Sequence, residues 1–366
     1  MNTKKYILVG AKAEGGTVKQ YGGVLTLSNG LVDYAKNAGY EIEVINTLRS
    51  GFEHQSLLKR LSSGLVRGYE LFSLLLAARR KGVIIFAGAG LSFYERIFLA
   101  MISRLFFVPC TFFIVDGWFL EVRNRSWLKR FWIGLLLKIP NKLAASGSNW
   151  VALFKELDVA KGRIVTIRYW LPKVIARLEE TKAVDVSESI RFVFVGWMIK
   201  EKGINEILSA IENLLGRYNF HFTFIGGGTM LEEVKQRIVD SRWGESVTAK
   251  GWLPPEEIEK ELSAAHVFVL PSYAEGFPMS LIEAMTKGMP AICTDVGGIS
   301  DSLHDAVNGY LIRPRDVEAL ERAMASFICH PETVRQHSIE TLQIVRHNHD
   351  AEKNCRLLFD SFEVKR

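Results

Sequence analysis

Residues 267–300 read VFVLPSYAEGFPMSLIEAMTKGMPAICTDVGGIS, and this stretch decides the fold. An apolar run, Val267–Leu270, stops at Pro271. Short apolar runs bounded by breakers are what strands buried on both faces look like. A loop with Glu275 and Gly276 follows, and Pro278 stands at the first turn of a helix, where its missing N–H leaves no bond unmade. The spacing predicts a helix over Met279–Lys287 and a second buried strand at Ala291–Thr294. Strand, loop, helix and strand in that order is the parallel βαβ unit.

The same alternation extends outward in both directions. Strand-like runs precede it at Tyr6–Ala11, Glu41–Asn46, Val83–Ala87, Cys110–Asp116 and Leu143–Ser146, then at Arg191–Val195, His221–Ile225 and Val247–Ala249. Helical patterns lie between them, among them Gly30–Asn37, Ile204–Tyr218, Thr229–Ser241 and Pro255–Ala264. This predicts an α/β protein with parallel sheets covered by helices on both faces. At 366 residues the chain exceeds what one core holds, so two Rossmann-like domains are expected. The break falls in 171–190, where Leu171-Pro172 leads into the polar stretch Glu179–Ser189. The expected division is 1–172, 190–345 and a terminal segment 346–366, with His347 to Phe362 as one helix.

Composition narrows the class. Apolar residues make up 48% and charged residues 23%, which excludes a disordered or collagen-like chain. The four cysteines lie far apart with no C-x-x-C pair, which excludes a disulfide scaffold or zinc ribbon and fits a reducing cytosol. The longest clean apolar run, Leu105 to Val115, falls well short of the ~20 residues a spanning helix needs. The apolar run Tyr6–Val9 is too short for a secretory signal, so a cytoplasmic protein is expected.

Charge divides the chain. Residues 1–170 hold 24 Lys/Arg against 11 Asp/Glu, whereas 171–366 hold 22 against 29. Val122 to Lys155 contains no acidic residue, and its bases Arg123, Arg125, Lys129 and Arg130 interleave with Trp127, Phe131 and Trp132. An anionic membrane surface attracts such a segment, each base adding on the order of 1 kcal/mol. The alternative is a helix packed on its own sheet with a solvated basic face. Nucleic acid is not expected, because no recognisable module is present and the other half is acidic.

The quoted stretch also carries chemistry. A helix N-terminus presents free N–H groups and a partial positive charge, so it can hold a phosphate. Here the donors would be the backbone of Phe277, Met279, Ser280 and Leu281. Glu275 on the loop and Glu283 eight residues on, within the helix, would flank that phosphate and take sugar and ribose hydroxyls.

With those residues in place, the stretch resembles the donor-site motif of glycosyltransferase family 4, whose E-x(7)-E pair would be Glu275 and Glu283. The resemblance covers most of the second half. Phe194-Val195-Gly196 with Glu201-Lys202-Gly203, Phe224 to Gly228, Gly251 to Leu262, Gly297-Gly298 and Asn308-Gly309 each fit a family segment. In the first half it is weaker, resting on Gly22-Gly23 and on Gly39-Tyr40-Glu41.

The resemblance implies the GT-B fold: two Rossmann-like domains facing a central cleft, with a C-terminal helix crossing back to the first. It implies retaining transfer from a nucleotide diphosphate sugar without a metal ion or other cofactor. Glu283 would bind the ribose, Glu275 would sit at the donor sugar, and Lys202 would grip the diphosphate, with Gly196 and Gly227 close to the nucleotide. A fixed ammonium beside a helix N-terminus can stabilise the charge gained by the leaving group. The implied acceptor is a glycan, carried on a lipid diphosphate, in surface-polysaccharide assembly at the inner membrane face.

Two positions depart from the family pattern. Trp197 stands where the family has Arg, and Ile114 to Trp118 lacks the strand-end His. Asp116 either takes over hydrogen bonding to the sugar or is only a polar strand end. A nucleotide-sugar 2-epimerase and a non-catalytic nucleotide-sugar-binding partner remain the competing readings.

Overall fold

The structure, a computed structural model, describes residues 4–12, 22–48, 56–172, 181–182 and 189–363. The chain forms two units, Met1–Lys173 with Asp350–Arg366, and Val174–His349. Most of the linker stretch 179–189 lies outside the described residues.

In the first unit β1 (Lys5–Gly10), α1 (Gly23–Asn37), β2 (Glu41–Asn46), α2 (Leu57–Ala77), β3 (Gly82–Ala87), α3 (Leu91–Leu105) and β4 (Cys110–Ile114) follow one another. Then come α4 (Trp127–Leu136), β5 (Lys142–Ala145), α5 (Ser148–Glu156) and β6 (Ile164–Thr166). The strands pair in parallel in the order β2-β1-β3-β4-β5-β6. β3 and β4 are buried along their whole length, as central strands covered on both faces must be. One face of the sheet, with Ile7, Val83 and Phe112, packs on Leu71 of α2, Ile97 of α3 and Trp150 of α5. Side chains alternate along a strand, so Tyr6 faces the other way and meets Phe359 at 4.8 Å.

In the second unit β7 (Ile190–Val195), α6 (Ile204–Leu214), β8 (Phe220–Ile225), α7 (Leu231–Asp240), β9 (Val247–Ala249), α8 (Pro255–Ala264) and β10 (Val267–Leu270) come first. α9 (Met279–Thr286), β11 (Ala291–Thr294), β12 (Gly309–Ile312), α10 (Val317–Cys329) and α11 (Glu332–Asn348) complete it. The sheet order is β12-β11-β10-β7-β8-β9, again parallel throughout. Phe192 of β7 stacks on Phe222 of β8 at 6.3 Å, and Phe194 meets Phe224 at 6.2 Å. Burying each such ring contributes about 1.5–3 kcal/mol.

Several boundaries differ from the sequence reading. The expected single helix 347–362 is two, because Asp350 starts a new one. Its side chain accepts the amide of Lys353 at 2.6 Å and caps α12 (Ala351–Asp360), which belongs to the first unit. α1 begins at Gly23 rather than Gly30, and Gly30 sits inside it because the Trp170 ring fills the space a Cβ would need. α6 ends at Leu214 rather than Tyr218, two residues before Gly216 at φ 92°. β6 and β12 carried no clear sequence signal. Both are edge strands of three and four residues, only partly buried.

Candidate active site

In a parallel sheet all strands end on one edge, so the loops after β7, β8, β10 and β11 gather there. Backbone bonds join them. Gly196 donates to the Ile225 carbonyl at 3.0 Å, Met198 to Gly227 at 2.8 Å, and Gly226 to Gly251 at 2.8 Å. Tyr273 donates to the Glu201 carbonyl at 2.8 Å, and Gly298 to Gly276 at 2.9 Å. Such close approach leaves no room for side chains. Gly226, at φ 129°, would drive a Cβ into the carbonyl of Gly196. Gly297, at φ 62°, would do the same to the carbonyl of Glu275.

Three elements bring charge to this edge. Lys202 ends a 3₁₀ turn over Lys200–Lys202, and its Nζ lies 2.5 Å from Glu275 Oε1. The same carboxylate oxygen accepts the Ser272 hydroxyl at 2.8 Å. Glu275 is buried, so a partner for its charge is required. The Ser272 carbonyl in turn accepts Thr294 Oγ1 at 2.5 Å, which ties the loop after β10 to β11. Tyr273 points its hydroxyl at Glu206 Oε1, 2.8 Å away, under the Arg315 guanidinium 4.4 Å from its ring.

The N-terminus of α9 opens beside Glu275. Pro278 is its cap residue, and the amides of Met279 and Ser280 have no acceptor among the described residues. Leu281, expected as a free donor, instead turns its amide to the Pro278 carbonyl at 3.2 Å. The Phe277 ring is buried against His349 at 5.0 Å, which fixes the loop rather than presenting the ring. Glu283 lies one turn into α9. Burial pushes its carboxyl up to about 7, and it has no partner among the described residues. Burial thus favours the protonated form, and two donors from a ligand hydroxyl pair would favour the ionised one.

Trp197, which stands where the family pattern has Arg, meets Trp252 edge-on at 4.8 Å. Trp252 covers Gly227, where its indole fills the Cβ position. Sequence reasoning singled out neither Trp252 nor the Tyr273–Glu206 pair. In the first unit, Asp116 at the end of β4 accepts the Ala89 amide at 3.0 Å, tying β4 to the loop after β3. Gly22 caps α1 with open space around it, and Gly23 is its first residue.

Residues 177–341 match the family model of glycosyl transferases group 1. Over 176 residues the chain is 37% identical to a Bacillus subtilis protein named as a teichuronic acid biosynthesis glycosyltransferase, TuaC. The match covers 47% of this chain and 41% of TuaC. Amylovoran biosynthesis glycosyltransferase AmsK of Erwinia amylovora is 31% identical over 140 residues, covering 36% of this chain and 34% of AmsK. The chain thus spans less than half the length of these curated relatives. Among solved structures, the lipopolysaccharide outer core galactosyltransferase WaaB superposes with a TM-score of 0.70 at 16% identity, covering 98% of this chain and 99% of WaaB. HepE of Anabaena, solved in complex with UDP, gives 0.71 at 14% identity, covering 98% of this chain and 99% of HepE. The fold is therefore GT-B, with two parallel-sheet Rossmann-like domains.

Proposed function

We propose that this chain is a retaining glycosyltransferase that uses a nucleotide diphosphate sugar, without a metal ion, in surface-polysaccharide biosynthesis. The observation that carries the reading is the Lys202–Glu275 pair beside the open amides of Met279 and Ser280. The diphosphate lies on those amides and on the Lys202 ammonium. Glu283 accepts the two ribose hydroxyls, and Glu275 accepts hydroxyls of the donor sugar. Similarity to TuaC and AmsK supports the glycan product, and HepE in complex with UDP makes UDP-sugars the first donors to try.

In the transfer, the bond from the anomeric carbon to the phosphate oxygen breaks as the acceptor oxygen forms its bond on the same face. The acceptor proton passes to the departing phosphate oxygen. Lys202 and the helix N-terminus stabilise the charge gained there, which is the work a divalent ion otherwise does. The acceptor is a glycan or a lipid-diphosphate carrier, reached at the cytoplasmic face of the cell membrane.

The test is incubation with UDP-sugars and a glycan acceptor, with and without EDTA, and NMR assignment of the product anomer. A product that keeps the donor's anomeric configuration and forms equally with EDTA supports the reading. Epimerised donor without acceptor, or no turnover of any donor, overturns it.

A further inference from the structure

Of the 23 large apolar side chains that stand exposed among the described residues, 19 lie between Leu57 and Leu135. They fall on α2, α3 and α4 and on Phe107, which is 95% exposed in the turn after α3. Along α2, Leu57, Leu61, Leu65, Tyr69, Phe72 and Leu76 recur every three or four residues, so they form one stripe. A different side of α2, with Gly64, Gly68, Leu71 and Leu75, is the buried one. The helix is therefore apolar on its buried side and again on the adjoining exposed side, and its own sheet explains only the first.

The three helices cover the same face of the first unit's sheet. Leu71 of α2, Ile97 of α3 and Ile133 of α4 all pack on one core cluster. α2 and α3 lie close, with Gly68 against the Phe98 ring and Arg67 joined to Glu95 at 2.6 Å. Arg104 of α3 donates to the carbonyls of Lys138 and Ile139 just beyond α4, at 3.3 and 3.1 Å. Their exposed stripes thus neighbour one another on one face of the unit, and clustered exposed apolar side chains of this kind mark an interaction surface.

Charge selects the occupant. Residues 57–142 hold 14 Lys/Arg and 4 Asp/Glu. Lys59, Arg125 and Lys129 are exposed on these helices or beside them and have no acidic partner among the described residues. Two copies meeting face to face would bring like charges together. An anionic bilayer offers acyl chains to Leu, Phe and Trp and phosphates to the bases.

We propose that the outer face of α2, α3 and α4 is a membrane-docking surface that seats its apolar side chains among anionic phospholipids. This deepens the membrane part of the reading above and rests on it. It also moves the contact from the 122–155 segment alone to a three-helix face dominated by α2.

The test is flotation with vesicles of equal parts phosphatidylcholine and phosphatidylglycerol, against vesicles of phosphatidylcholine alone. Partition onto the anionic vesicles should be at least tenfold stronger. Leu61→Asp with Leu65→Asp on α2, and separately Trp127→Ser with Trp132→Ser on α4, should each lower it at least tenfold, with melting temperature and UDP binding held. Equal partition onto both vesicle types, or retained binding by either variant, overturns the proposal. So does sedimentation showing a dimer that both variants split while vesicle binding is absent. UDP binding measured in the same samples separates this outcome from failure of the donor-site reading, which predicts that binding whatever the vesicles do.

Discussion

Lys202 Nζ and Glu275 Oε1 stand 2.5 Å apart, so the group assigned to the phosphates and the group assigned to the sugar form one ion pair. Each balances the other's charge. Removing either one therefore costs more than its own contact with the ligand. Lys202→Ala should lower transfer about 10²–10³-fold, as loss of an oxyanion-stabilising donor does. It also leaves Glu275 buried with only the Ser272 hydroxyl. Steady-state kinetics with a thermal melt separates the effects: kcat should fall in both Lys202→Ala and Lys202→Ala with Glu275→Gln, while the double variant melts higher than the single one.

Glu283 predicts a pH dependence. Burial raises its folded-state pKa to about 7, so the folded chain holds a proton that the unfolded chain gives up near the ordinary carboxylate value. Stability from this site is therefore greatest below the unfolded pKa and falls as pH rises towards about 7. Glu283→Gln should gain stability over the native chain across that window, by up to about 3 kcal/mol above it. Urea melts at pH 5 and pH 8 measure this.

Ribose hydroxyls donate to the ionised carboxyl. Nucleotide affinity should therefore rise between pH 6 and pH 8 with release of a proton, and that slope should vanish in Glu283→Gln. Titration calorimetry in two buffers of different ionisation enthalpy reads the proton directly. A slope unchanged in the variant would place the ribose elsewhere.

Much of this was legible in the sequence because central parallel strands are short apolar runs between Pro and Gly, as at Val267–Leu270. Edge strands such as Gly309–Ile312 are half-buried and leave no such run. The Glu275 and Glu283 spacing placed both carboxyls on one loop and helix. The partners were harder to read, because Lys202 is 73 residues from Glu275 and Glu206 is 67 from Tyr273. Only the sheet order brings those segments side by side. The amide of Leu281 was misread because the tight turn at Pro278 consumes it.

The glycine at 226 predicts a backbone effect. Gly226→Ala carries roughly 1–3 kcal/mol of strain from its positive φ, with the collision against the Gly196 carbonyl added. Gly244→Ala, where nothing stands within 4 Å, is the control and should leave the melting temperature unchanged within a degree or so.

Tyr273→Phe removes the donor from Glu206, whose other oxygen, Oε2, is buried with no partner among the described residues. The variant should lose about 1–3 kcal/mol. Glu206→Gln in that background should recover part of it, because an uncharged amide replaces the stranded carboxyl. Denaturant melts of the single and double variants give the coupling.

The most direct measurement is titration calorimetry of the native chain, Lys202→Ala and Glu283→Ala with UDP, GDP and ADP, each in EDTA. At least one nucleotide should bind the native chain and bind both variants at least tenfold more weakly. No binding by any of the three, or equal binding by all three proteins, would contradict a diphosphate site built from Lys202 and the N-terminus of α9.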